Sequence, residues 1–227
     1  MDQPYDDLKI DQMPQTLREI VLGRMRDAIL SGRFASGTRL VERTLCDQLG
    51  VSRSVVREVI RILEAEGLVE SMPNRGPMVA TLDWAQARQI YDIRLLLEQG
   101  AARACAEVAD ASVKSRLTEA LHGIEAAFAQ GRSLALFQAT TRFYEVIFLA
   151  AGHEIAWEIV QRLNGRISRL RALTLATRER NVSGLARMTR IRDAIAANDV
   201  QAAGQAVHDH LTEAATIARR LLQAEET

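Results

Sequence analysis

Residues 40–68 read LVERTLCDQLGVSRSVVREVIRILEAEGL, and this stretch decides the fold. Two helical patterns meet there at a tight turn. In the second, Val55, Val56, Val59, Ile60 and Leu63 recur at the three-and-four spacing of a buried face, leaving Arg53, Arg57 and Arg61 together, one turn apart. In the first, Leu40, Val41, Leu45 and Leu49 are the apolar positions, and Gly50 offers the left-handed conformation that turns the chain before Val51. The pattern is a helix-turn-helix. Ser52 stands where an N-cap belongs, so Arg53, Ser54 and Arg57 fall in the first turns of the second helix, the end a recognition helix pushes into the DNA major groove. Guanidinium forks match the O6 and N7 acceptors of guanine and the oxygens of phosphate. An isolated arginine stripe more often marks a solvated helix face. Here turn, cap position and flanking pattern agree, and the implied partner is double-stranded DNA.

Working outward, Pro14 and Thr16 open a helix with Leu17, Ile20, Val21, Met25, Ile29 and Leu30 on one side, ended by Ser31-Gly32. Residues 32–38, GRFASGT, read as a loop. Beyond the recognition helix, Gly67 marks a C-cap, and Leu68-Val69-Glu70 and Met78-Val79-Ala80 read as two short strands around Pro73-Asn74-Arg75-Gly76. A hairpin in this place is a wing, with Arg75 and Gly76 at a tip that can lie close to phosphates. From Asp83 onward alanine, leucine and arginine dominate, with nearly continuous helical periodicity. Helices are expected at about 83–107, 111–130, 133–151, 153–177, 184–198 and 200–224, with boundaries good to two to four residues. Short breaks between them imply an antiparallel bundle. The expected fold is thus mainly α: a disordered tail at 1–12, a winged helix-turn-helix at 13–81 and an all-helical effector-binding and dimerisation domain at 82–227.

Bulk properties narrow the function. The formal net charge of the 227 residues is zero, so affinity for nucleic acid must come from a local patch. Cys46 and Cys105 are too few for a disulfide framework or a CxxC zinc site, which fits a reducing compartment. No apolar run approaches a membrane span, and the start MDQPYDD is the opposite of a basic signal-peptide region, so a cytoplasmic location is expected. No nucleophile elbow, P-loop or dinucleotide-type glycine pattern is present, which argues against an enzyme.

The pieces GTRLVE (37–42), LGVSRS (49–54), VRE (56–58), LEAEGLV (63–69) and PNRG (73–76) stand in the order and spacing of the GntR family of bacterial winged-helix regulators, which the segment resembles. The second half resembles the FCD effector domain of the FadR-type subfamily, through YDIRLLLEQGAARACA at 91–106, RFYEVIFLAAGHE at 142–154 and IRDAIAANDVQAAGQAVHDHL at 191–211. The resemblance implies that Arg43, Arg53 and Arg57 meet operator bases and phosphates and that Arg75 and Gly76 form the wing tip. Arg61 is added from the helix face alone. It also implies a homodimer on a pseudo-palindromic operator, commonly a repressor, that responds to a small carboxylate in the bundle.

Many FCD domains hold a divalent metal through one Asp and three His. Here Thr140, Tyr144 and Met188 fall at three of those positions and only His210 keeps a family ligand. A hydroxyl, a phenol, a thioether and one imidazole make no convincing metal site, so no metal is expected. His208 and His210 point to different sides of a helix, His153 suits a capping or surface role, and His122 suits a solvated one. Without a metal the carboxylate needs another cation. Arg94, four residues before Glu98, is either a bidentate clamp for it or Glu98's structural partner. Thr140, Tyr144, Met188 and His210 would line the same cavity, suited to an organic acid with an apolar or aromatic body. Two alternatives stay open: a constitutive DNA-binding dimer whose effector site has decayed, and a metal-dependent regulator with rearranged ligands.

Overall fold

The computed structural model describes residues 16–72, 75–131, 133–168, 170, 171, 174 and 184–225, so the expected tail lies outside the described residues. Helix α1 (Leu17–Leu30) begins at a capping box: the Thr16 hydroxyl accepts from the Glu19 amide at 3.3 Å, and the Glu19 carboxylate accepts from the Thr16 amide at 2.8 Å. Its buried side runs from Val21 through Leu30. Leu17 and Ile20, expected on that side, are exposed, because the first turn overhangs the core and is tied instead by Arg18 to Glu58 at 2.6 Å.

Helices α2 (Glu42–Leu49) and α3 (Arg53–Ala65) are joined through Gly50 at φ 67° and ψ 35°, where a side chain would be strained. Leu45, Val56, Val59, Ile60 and Leu63 close on Val21, Met25 and Ile29 to make the head's core. Val41 stays exposed and Val55 only half-buried, at the rim of the face read from the sequence. Ser52 has the extended backbone of an N-cap, but its hydroxyl lies 2.8 Å from that of Ser54 and caps no amide. The capping expectation is corrected to a positional one. Ser52→Ala is therefore expected to cost less than about 0.5 kcal/mol, against the ~1 kcal/mol of a working cap; urea denaturation of both proteins checks it.

Strands β1 (Val69–Met72) and β2 (Gly76–Val79) pair antiparallel, from Val69 opposite Val79 to Met72 opposite Gly76. Each is displaced toward the turn from the expected strand. The hairpin is wider than a two-stranded ribbon: Gly37 donates to Val79 O at 3.0 Å, Val79 to Thr38 O at 2.9 Å and Leu40 to Pro77 O at 2.8 Å. The chain read as a loop thus ends by pairing with the wing.

The bundle comprises α4 (Trp84–Val108), α5 (Ala111–Gln130), α6 (Ser133–Ala150), α7 (Glu154–Arg166), α8 (Gly184–Ala196) and α9 (Val200–Glu225). Asp83 and Asp110 cap α4 and α5 by accepting from Gln86 N at 2.7 Å and Val113 N at 2.8 Å. Helix α4 lies along α9, and α5 packs on α6 and α8 around a second core of alanine, leucine, isoleucine and aromatic side chains. Two helix ends differ from expectation. The helix expected to reach 177 stops at Arg166, where Ile167 leaves helical geometry at φ −107° and ψ 13°; Ser168, Leu170, Arg171 and Thr174 are helical again, and residues 175–177 lie outside the described residues. The helix expected to reach 198 ends at Ala196, and Asn198 turns at φ 56° while its amide donates to Ala106 O at 2.8 Å and Ala109 O at 3.1 Å. Among the described residues no helix is long and apolar enough to cross a membrane. Burial pushes the Cys105 thiol up to about 11, which keeps it protonated within the core.

Candidate nucleic-acid interface and effector cavity

With its apolar side committed to the core, α3 turns Arg53, Ser54, Arg57 and Arg61 to solvent, and Arg43 on α2 and Arg75 before β2 are exposed as well. Sequence reading missed how Arg57 is held. Its Nε lies 2.9 Å from both oxygens of Glu42, a hydrogen bond and attraction that raise its pKa. Such an exposed pair adds little stability. It ties the arm through Nε alone and leaves the two terminal nitrogens outside that bond on a side chain that is 61% exposed, so they are available to a base or phosphate acceptor. Of the acids on α3 itself, Glu58 is paired with Arg18 at 2.6 Å. Neither pairing was visible in the spacing, because each joins residues from different helices.

The five expected effector residues do converge. Arg94, Thr140, Tyr144, Met188 and His210 line one small cavity, together with Tyr91, Arg171, Thr174 and Ala214. Arg94 donates through Nε to Glu98 at 2.6 Å with both side chains essentially fully buried, which is the structural pairing, and it lines the cavity with one edge of its fork already taken. Although burial works against its charge, Glu98 and the Tyr91 and Tyr144 phenols hold the Arg94 pKa up. Burial and then Glu98 push the Tyr144 phenol well above its usual range, keeping it neutral. Tyr144 Oη and Glu98 Oε2 nevertheless lack hydrogen-bonding geometry. The Tyr144 ring stacks edge-on to Phe143 at 5.9 Å and lies 6.5 Å from the His210 ring.

Arg171 is the residue that sequence reading missed. It is 4 % exposed and forms no ion pair among the described residues. Its Nη2 lies 3.5 Å from Thr140 Oγ1, its guanidinium carbon 5.3 Å from the Phe137 ring centre, and its Nη1 is buried without a partner. Burial first, and Arg94 second, bring its pKa down to about 10. Two guanidiniums therefore share one described carboxylate. A buried cation without a counter-charge is among the costliest arrangements in a folded chain.

This donor set does not fit a divalent metal. The Thr140 hydroxyl donates to Leu136 O at 2.9 Å, the phenol is held neutral, and the Arg171 cation occupies the neighbourhood a metal would need. Among the described residues no three His, Cys, Asp or Glu side chains come together in ligating range. His208 lies near its neighbour Asp209 at 3.5 Å, both half-exposed, His153 sits half-buried before α7 without capping it, and His122 is exposed. The cavity itself is small, about 10 Å³, the room of roughly one water molecule.

Comparison with known proteins places this geometry. Residues 17–79 match the model of bacterial regulatory proteins of the gntR family, and residues 89–213 match that of the FCD domain. The HTH-type transcriptional repressor RspR of Escherichia coli K12 is 26% identical over 92% of this chain and 92% of its own length. The HTH-type regulator YdhC of Bacillus subtilis 168 is 27% identical over 90% of this chain and 92% of its own. A solved GntR regulator from Rhodococcus sp. RHA1 superposes with a TM-score of 0.71 at 27% identity, covering 88% of this chain and 96% of that one. The exposed arginine helix, the wing and the all-helical second half are those of a DNA-binding transcription regulator rather than an enzyme, and the chain belongs to the GntR family of bacterial regulators carrying an FCD domain.

Proposed function

We propose that the chain is a cytoplasmic, homodimeric repressor whose grip on a pseudo-palindromic operator is modulated by a small organic monocarboxylate, bound in the bundle without a metal. The observation that carries the effector half is that, among the described residues, the buried guanidiniums of Arg94 and Arg171 face the one carboxylate of Glu98, with Arg171 Nη1 lacking a hydrogen-bond partner. One carboxylate restores neutrality there and gives Arg171 Nη1 the acceptor it lacks. Met188, Ala214 and the two tyrosine rings then suit an apolar or aromatic body. The relative RspR is named a repressor, which supports that sign of regulation. Two-fold symmetry follows from the reach of one recognition helix, which reads only a few base pairs.

A decayed effector site is the competing reading, and the tightness of the cavity favours it. The charge count among the described residues does not, because two buried guanidiniums facing one carboxylate carry a cost in stability that a bound anion would offset. A thermal-shift screen separates the readings. Benzoate and short aliphatic carboxylates are expected to raise Tm by several degrees as ligand exceeds its dissociation constant, since binding the folded state alone stabilises it. A shift produced by zinc, nickel or manganese chloride but by no carboxylate would overturn the proposal.

A further inference from the structure

The cavity and the recognition helix are joined by one seam. On the head's side stands the end of α3, where Glu66 caps the helix and Gly67 turns at φ 73°. On the bundle's side stands the end of α7. A Cβ on Gly165 would lie 1.5 Å from the Glu66 carbonyl oxygen, so no residue but glycine fits, and a Cβ on Gly67 would lie 2.7 Å from Arg166 Cγ. Arg26 in α1 holds the Glu66 side chain through a two-pronged ion pair. This close approach also accounts for the end of α7 at Arg166.

Beside that contact runs a cleft of about 480 Å³, walled by Leu30, Ala65 and Leu68 from the head and by Phe137 and Ser168 from the bundle. Phe137 packs against the head's core, and it is the same ring on which the Arg171 guanidinium rests. Ser168, three residues before Arg171, is buried with its hydroxyl unpartnered. Arg171 thus touches the cavity through Thr140 and the seam through Phe137.

We propose that occupancy of the cavity is transmitted to DNA by this arginine: an anion draws Arg171 off Phe137, and the loosened ring, with Gly165, Arg166 and Ser168 beside it, releases the end of α3. This rests on the reading that the cavity takes an anion. The small volume is what makes the device work, since nothing the size of a carboxylic acid enters without moving the wall, and the guanidinium is the part of the wall an anion attracts. A ligand that disturbed only Met188 or Ala214 would leave the seam untouched. Effector and operator then prefer different seam arrangements, which is the condition for any coupling between them.

Hydrogen–deuterium exchange of the full chain tests this without knowledge of the natural ligand. The reporters are the Glu66, Gly67 and Leu68 amides, which donate to Ile62, Glu64 and Leu63 carbonyls at the end of α3. Arg171→Ala is expected to raise their exchange at least about fivefold, and Gly165→Ala, which forces the seam apart directly, to raise it as much. Unchanged exchange at 66–68 in Arg171→Ala, with increases confined to the cavity helices, would overturn the proposal. If Gly165→Ala does not fold, Phe137→Leu takes its place. In Phe137→Leu, benzoate binding by calorimetry is expected to stay within about threefold of wild type, while its effect on affinity for a duplex selected from random sequence falls from about tenfold to under twofold. Undiminished coupling in that variant also overturns the route. Failure of the wild type to bind benzoate or the aliphatic acids sinks the anion reading instead, and leaves the exchange result standing as a measure of the seam alone.

Discussion

Arg94→Ala should lower the unfolding free energy by about 3 to 5 kcal/mol, whereas Arg171→Met should raise it by about 1 to 2 kcal/mol, although both residues are buried arginines lining one cavity. The difference lies in partners. Removing Arg94 strands the Glu98 carboxylate, whose second oxygen already makes no hydrogen bond, in a place that water does not reach. Removing Arg171 strands nothing comparable and relieves a cation that burial disfavours; the gain is trimmed by the lost contact with Phe137, part of which a methionine restores. Arg94→Met combined with Glu98→Leu should recover only part of the loss, because the Arg171 cation then keeps its charge without the carboxylate it shares with Arg94. The pH dependence has a definite sign. Arg171 sheds its proton near 10 in the folded chain and higher in the unfolded one, so between those values the unfolded state binds more protons and stability rises with pH. Tyr144, held neutral well above its usual range, pulls the opposite way in the same interval. The informative quantity is therefore wild type minus Arg171→Met: the cost of Arg171 is fully present at pH 7 and begins to disappear above about 10. A variant no more stable than wild type at pH 7 would show that Arg171 has a counter-charge and would remove the main argument for an anionic effector.

The head was legible because its information is local. Three-and-four spacing placed the buried side of α3, and Gly50 placed the turn. What escaped reading was pairing across elements: the ladder from residues 37–40 to the wing, the Glu42–Arg57 and Arg18–Glu58 pairs, and the sideways bond of Ser52 to Ser54. In the bundle, Thr140, Tyr144, Met188 and His210 were found because they stand at positions a related pattern marks, and the cavity they share is a polar one. Arg171 was hidden among Arg162, Arg166 and Arg169, since periodicity does not tell which arginine of a rich helix turns inward. One signal was overlooked. Asn164-Gly165 is a breaking dipeptide in the middle of the helix drawn to 177, and it marks where α7 stops against the head.

Arg53→Ala and Arg57→Ala should each weaken binding to a specific duplex by about 1 to 3 kcal/mol for every copy of the helix in the complex, hence about 2 to 6 kcal/mol in the proposed dimer. Neither change should unfold the head. Both side chains are exposed, and the Arg57–Glu42 pair, with Arg57 61% exposed, is of the kind that adds almost nothing to stability. What Glu42 supplies is aim, so Glu42→Gln should reduce specific affinity while leaving non-specific affinity nearly unchanged. Arg57→Lys should behave like a loss rather than a conservative change, since an ammonium cannot engage Glu42 through one nitrogen and a base through two others. Arg75→Ala belongs to another class: at the wing it should flatten the salt dependence by about one unit per copy and leave sequence preference alone. Fluorescence anisotropy over a salt series, against matched and scrambled duplexes, separates these outcomes. Equal losses on both duplexes for Arg53→Ala and Arg57→Ala would mean that the helix supplies charge but does not read sequence. Unchanged affinity on both would mean that its cationic side never meets the duplex at all.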